Sequence, residues 1–124
     1  MPPKTILWLE DEKEQSSMLM NVFSEYGYAT IVSDNAKDAL RLLNEITPDL
    51  FLIDIKLRGD DGIEFFHEIK KIDRLGRVPV IFLTAYNSMK MAIDAKKEGA
   101  TDYITKPFDV DHLIDRIIEI VPPV

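Results

Sequence analysis

Four apolar residues, "LFLI" (Leu50 to Ile53), run straight into Asp54, and a charged loop, "IKLRGDDG", follows. A carboxylate at the end of a buried strand needs help to stay ionised, because burial disfavours the charged form. Three other places carry chemistry of a matching kind. "TILWL" is followed by Glu10, Asp11 and Glu12, "VPVIFL" by Thr84 and Ala85, and "DYIT" by Lys106 and Pro107. If the first and third strands are neighbours, their acids meet in one cleft with Thr84 and Lys106 beside it. Two unit charges about 5 Å apart repel by about 3 kcal/mol at an effective dielectric near 20. Three carboxylates in one cleft therefore require a proton or a cation. Lys106 supplies one positive charge. An oxygen-only ligand set suits a hard divalent ion, with Mg²⁺ the usual one. An aspartate held ionised in this way can attack phosphorus to form an acyl phosphate. A metal, an ammonium and a hydroxyl are what phosphoryl transfer asks of its surroundings.

The elements that must position these groups follow from hydrophobic periodicity. Strands are expected at Thr5–Leu9, Tyr28–Val32, Leu50–Ile53, Val78–Leu83 and Asp102–Thr105. Helical spacing alternates with them. Glu12 to Tyr26 carries Leu19, Val22, Phe23 and Tyr26 and stops at Gly27. The second helix shows Ala36, Ala39, Leu40 and Leu43 on one face, with Asn35 as N-cap. Phe65, Ile69 and Ile72 line the third, after a turn bracketed by Gly59 and Gly62, with Asp60 and Asp61 as turn acids and a helix cap. Met89, Ala92 and Ile93 mark the fourth, ending near Gly99. Val110, Leu113, Ile114, Ile117, Ile118 and Val121 mark the fifth. Five β-α units in a row predict a parallel sheet with helices on both faces, and strands without polar alternation agree with burial on both sides. In such an α/β sheet, ligands bind beyond the carboxyl ends of the strands.

Composition closes off other classes. The chain has 124 residues, 46% of them hydrophobic and 30% charged, a net charge of -7 and no cysteine. That is the size of one domain. Disulfides, thiolate catalysis and Cys-based zinc sites are excluded. The acidic balance disfavours direct nucleic-acid binding. No apolar run reaches the roughly 18 residues of a membrane span, and the apolar stretch near the N-terminus is too short for a signal peptide, so a cytoplasmic location is expected. Trp8 reads as core. His67 and His112 read as surface residues, and Met18, Met20, Met89 and Met91 as packing.

With these residues in view, the chain resembles a response-regulator receiver domain of two-component signalling over essentially its whole length. The matching motifs are "ILWLEDE", "LFLIDIKLRGDDG", "VPVIFLTAY" and "EGATDYITKPF", in order and at the family's spacing. The resemblance implies a single receiver domain over residues 1–124, its core about 4–121, with a flavodoxin-like doubly wound α/β fold: a five-stranded parallel sheet of order 2-1-3-4-5. It implies a phosphoacceptor regulatory domain, not an enzyme acting on a separate substrate, with self-catalysed phosphotransfer and dephosphorylation. Asp54 would accept phosphate from a sensor histidine kinase or phosphotransfer protein. Asp11 and Asp54 would ligate Mg²⁺, as would the backbone carbonyl of Lys56, with Glu10 assisting through water. Thr84 and Lys106 would contact the phosphoryl oxygens. Thr84 and Tyr103 would form the switch pair, Lys56 and Tyr86 would tune phosphate lifetime, and the Lys106–Pro107 bond would be cis. The face made by the fourth helix, last strand and last helix would serve a downstream effector, an output domain or a homodimer.

Three departures stand out: Glu10, where Asp is commoner; Arg58, where the family usually has Pro before the first Gly; and Lys56, an unusual residue two past the acceptor, which is expected either to reach over the phosphoryl group or to pair with Glu10. Other readings remain at this stage: a degenerate receiver acting as a phosphorylation-independent scaffold, a flavodoxin-like cofactor binder, or an aspartyl-phosphate hydrolase. The last would carry a second Asp two residues past the nucleophile, where Lys56 stands. A flavin phosphate would need an anion cradle after the first strand, where three acids stand instead. The segment from Ala85 to Phe108 is similar to receivers attached to transcriptional activators, and the chain fits either a stand-alone regulator or a receiver cut from a longer protein.

Overall fold

A computed structural model describes residues 2–124; Met1, the first residue of the span expected for the domain, lies outside the described residues. Five strands form the central sheet: β1 (Lys4–Leu9), β2 (Tyr28–Ser33), β3 (Leu50–Asp54), β4 (Val80–Ala85) and β5 (Asp102–Lys106). They are all parallel, in the order β2-β1-β3-β4-β5, which is the expected 2-1-3-4-5. The helices are α1 (Lys13–Glu25), α2 (Ala36–Leu42), α3 (Gly62–Lys70), α4 (Met89–Lys97) and α5 (Val110–Ile120).

Side chains of a strand alternate between its two faces, and the core divides accordingly. Ile6 and Trp8 of β1, Leu50 and Leu52 of β3, and Ile81 and Leu83 of β4 pack with Leu19 and Phe23 of α1 and with Leu113, Ile114 and Ile117 of α5. Leu7, Leu9, Phe51, Ile53, Val80 and Phe82 face the other way. They meet Ala39 of α2, Phe65, Phe66 and Ile69 of α3, and Ala92 and Ala95 of α4. Continuous apolar strands are thus read twice, once by each layer. Edge-to-face contacts of Phe66 on Phe82 (5.3 Å) and Phe51 on Phe65 (6.1 Å) lock α3 to the sheet. Trp8 is fully buried beside Phe23, as expected of a core residue. Met18 is exposed and takes no part in packing.

Several boundaries differ from the periodicity. Pro79 precedes β4, which starts at Val80 and runs on through Thr84 and Ala85. Thr84 is therefore a strand residue and not the first residue of a loop. The loop after Asp54 holds a short ribbon, Lys56–Leu57 against Asp60–Asp61, which alternating-pattern reasoning does not reveal because each side is only two residues long. Gly62 does not close that turn; it opens α3. The two adjacent aspartates cap different helices. Asp61 accepts from Ile63 N of α3 at 2.8 Å, whereas Asp60 reaches across to Ala36 N of α2 at 3.0 Å.

Helix α2 is short, and its ends are held from outside. Asn35 caps Asp38 N at 2.8 Å as expected, and Asp60 adds a second N-terminal acceptor. At the other end the Arg74 guanidinium donates to the carbonyls of Leu43 and Ile46 and to Thr47 Oγ1. Seven residues form too few internal bonds to persist alone, so these tertiary caps are a large part of what keeps α2 in place. Asp60→Ala should lower stability by about 1 kcal/mol in urea unfolding and speed amide exchange at Ala36. Unchanged exchange there would show that Asp60 is not its cap.

Candidate functional site

The carboxyl ends of β1, β3 and β5 bring three charged side chains into contact. Leu9 lies opposite Ile53, and Asp54 opposite Leu83, so Glu10 and Asp54 leave the sheet side by side. Lys106 ends β5 opposite Ala85, one strand further on. Its ammonium donates to Asp54 Oδ2 at 2.8 Å and lies 3.5 Å from Glu10 Oε2. Glu10 is 1% exposed and Asp54 4%. Glu10 is fixed further by Glu10 N donating to Ser33 O (2.9 Å) and by Glu12 N donating to Glu10 Oε1 (3.2 Å). The Lys106–Pro107 bond that follows is cis, as the resemblance implied.

Two carboxylates crowd this centre, not the three expected from the strand ends. Burial, followed by the neighbouring Asp54 carboxylate, pushes the Glu10 carboxyl from its ordinary 4.5 up to about 8; Lys106 and the Glu12 N–H pull it back only in part. Burial works against the Lys106 ammonium, yet the hydrogen bond and charge of Asp54, together with Glu10, outweigh it and hold its pKa above the ordinary value. Two acceptor atoms at the centre, Asp54 Oδ1 and Glu10 Oε2, are buried with no hydrogen-bond donor. Orphaned buried oxygens of this kind are costly and present the ligand chemistry of a hard divalent cation. The donor set therefore fits Mg²⁺.

The other expected residues are distributed unevenly around this centre. Asp11 is half-buried and turned outward: its Oδ2 accepts from the backbone N–H of Arg58 at 2.7 Å. Among the described residues, no three acidic or histidine side chains converge on a point that would hold a metal ion. Thr84 is buried, and its hydroxyl donates to Ala85 O at 3.0 Å rather than toward Asp54. Tyr103 is half-buried and packs against the core layer of α2, α3 and α4. Lys56 is exposed on the ribbon; the ammonium beside Glu10 is that of Lys106, not Lys56. Tyr86 is 81% exposed on a 3-10 turn at Tyr86–Ser88. His67 and His112 are exposed, and His67 Nε2 meets Glu98 Oε2 at 2.6 Å, away from the site.

Two functional contributions escaped the sequence reading. One is the Arg58 N–H, a backbone donor that residue types do not advertise. The other is Gly62, whose N–H donates to Ile55 O at 2.7 Å. A Cβ at Gly62 would stand 2.0 Å from the Asp54 carbonyl oxygen. In "GDDG" the second glycine opens α3 and does not close the turn, a distinction that side-chain type alone does not carry.

Comparison with known proteins agrees with this architecture. The sequence profile described as "Response regulator receiver domain" matches residues 6–118. Sporulation initiation phosphotransferase F of Bacillus subtilis is 35% identical over 98% of this chain and 97% of its own length. Regulatory protein AtoC of Escherichia coli is 39% identical over 87% of this chain, but the match spans only 23% of that protein. Among solved structures, a putative response regulator from Chloroflexus aurantiacus superposes with a TM-score of 0.87 at 28% identity, covering 95% of this chain and 97% of that one.

The titration of Glu10 makes a pH prediction. Between 4.5 and about 8 the folded protein holds a proton that the unfolded chain releases, so stability is highest at the acid end of that window and falls as pH rises through it. The Lys106 contribution is fully present throughout the window and is lost only at pH above its ordinary 10.5. Metal-free protein should therefore show a falling urea midpoint across the window, and Glu10→Gln should flatten it. An equal slope in both proteins would assign the titration to another group.

Proposed function

This chain belongs to the response-regulator receiver family of two-component signalling, and from that premise we propose that Asp54 is its phosphoacceptor, charged by a sensor histidine kinase or phosphotransfer protein in a Mg²⁺-dependent reaction. The observation that carries this reading is the asymmetry of the Asp54 carboxylate. One oxygen is held by the Lys106 ammonium at 2.8 Å, and the other is buried without a donor. The first contact sets a positive charge against the group. The second leaves the carboxylate incompletely satisfied and open to a further partner.

In the proposed step an Asp54 carboxylate oxygen forms a bond to phosphorus as the phosphorus–nitrogen bond of the donor phosphohistidine breaks. The bonding pair leaves with the imidazole, and a mixed anhydride remains on Asp54. Bound Mg²⁺, held by Asp11, Asp54 and the Lys56 carbonyl with Glu10 assisting through water, would neutralise charge on the transferring oxygens. Lys106 is already within reach of those oxygens. Thr84 would turn its hydroxyl away from the Ala85 carbonyl to donate to the phosphoryl group, and Tyr103, opposite Phe82 in the adjoining strand register, would follow it inward. The same centre would serve self-catalysed transfer and later hydrolysis, with Lys56 and Tyr86 tuning the lifetime.

On this reading the residue set forms a single receiver domain spanning 1–124, working in the cytoplasm. The signal is a population shift of the α4-β5-α5 face, read by an effector, an output domain or a second copy of the chain, without direct contact to nucleic acid. Among the described residues no helix is long and apolar enough to cross a membrane.

Incubation with acetyl phosphate and Mg²⁺, followed by intact mass spectrometry, should add one phosphoryl group to the native chain and none to Asp54→Asn; a labelled variant would place the acceptor elsewhere. Lys106→Ala should still be labelled but should lose the amide shift changes around Thr84 and Tyr103 that accompany labelling. Persistence of those changes would remove Lys106 from the coupling.

A further inference from the structure

The acceptor loop carries a contact that the reading above does not use. Asp11 Oδ2 takes the Arg58 N–H at 2.7 Å, a charge-assisted bond. The two residues line an open cleft of about 850 Å³ with Glu12, Lys13, Asp34 and Asn35; neither Glu10 nor Asp54 lines it. Held there, the Asp11 carboxylate faces outward and does not join Glu10 and Asp54 in a metal-sized group. Meanwhile Glu10 Oε2 and Asp54 Oδ1 wait without donors. Joining them requires Asp11 to swing inward and leave the amide behind.

We propose that the backbone N–H of Arg58 is a latch on Asp11, holding its carboxylate out of the metal position and being released when a divalent ion binds. This rests on the Mg²⁺-dependent reading of the site and adds to it a residue that sets metal affinity without touching the metal. It also gives the loop a means of sensing the ion. Arg58 sits at the tip of the Lys56–Asp61 ribbon, whose Asp60 caps α2 at Ala36. Metal arrival at Asp11 thus frees the tip of the same ribbon that anchors α2.

The backbone donor is deleted by proline alone, and the position accepts it. Arg58 and Gly59 are the two central residues of the turn joining the ribbon's paired Leu57 and Asp60. Gly59 has φ 77°, which is what a type II turn asks of its third residue, and proline is favoured at the second. Leu57 before it is extended, as a residue preceding proline must be.

The test is a Mg²⁺ titration followed by amide NMR shifts of Asp54 and Ile55 in three proteins: native, Arg58→Pro and Arg58→Ala. The alanine variant removes the guanidinium and keeps the N–H. Arg58→Pro should bind Mg²⁺ about fivefold more tightly than Arg58→Ala, the size expected for losing one competing hydrogen bond. Equal affinity in the two variants overturns the latch and assigns any tightening over native protein to the lost arginine charge. In native protein, saturation with Mg²⁺ should speed hydrogen exchange of the Arg58 amide. Undiminished protection overturns the latch even if the proline variant fails to fold. Absence of Mg²⁺ binding in all three proteins would instead overturn the metal-dependent reading, and the latch with it.

Discussion

The structure turns on one ammonium among buried carboxylates. Lys106 reaches Asp54 at 2.8 Å and Glu10 at 3.5 Å from the end of β5, across the intervening end of β4. Without it, two acids that are almost completely enclosed would face each other with nothing to offset their repulsion. With it, the arrangement is tolerable and still incomplete: one positive charge serves two carboxylates, and Glu10 responds by holding its proton up to about 8. Removing one member of such a set costs more than the set contributes as a whole, because the remainder is left buried and uncompensated. The site is stable enough to fold and unsaturated enough to want a further cation.

The sheet supplies the geometry for this. A parallel sheet brings all its carboxyl ends to one edge, so residues far apart in sequence converge without any loop having to reach. Glu10, Asp54 and Lys106 all sit at or immediately after a strand's last residue, and their separation is set by strand spacing and register. The two apolar layers then fix the sheet from both sides, with aromatic pairs on the α3 side and Trp8 against Phe23 on the α1 side.

What could be read in the sequence followed from side-chain type and period. Apolar runs located five strands, helical spacing located five helices, and the acids, threonine and lysine after the runs located the cleft. The shortfalls have a common cause. The Lys56–Asp61 ribbon is too short to show a period. Thr84 lies inside β4 because backbone pairing with Thr105 extends past the apolar run. The outward turn of Asp11 depends on a main-chain amide, and amides are the same at every residue except proline. Gly62 was visible as a glycine, but the reason for it, the nearness of the Asp54 carbonyl, is a tertiary fact. Asp60 looked like a local turn acid and serves a helix 24 positions away in the chain.

Helix α2 has its two ends fastened to different parts of the molecule: the acceptor-loop ribbon through Asp60, and the segment after α3 through Arg74. A seven-residue rod tethered in this way has little cohesion of its own, so it acts as a spectator whose integrity mirrors the loop it leans on. Fraying of α2 would then gauge, from the periphery, how tightly the centre is closed.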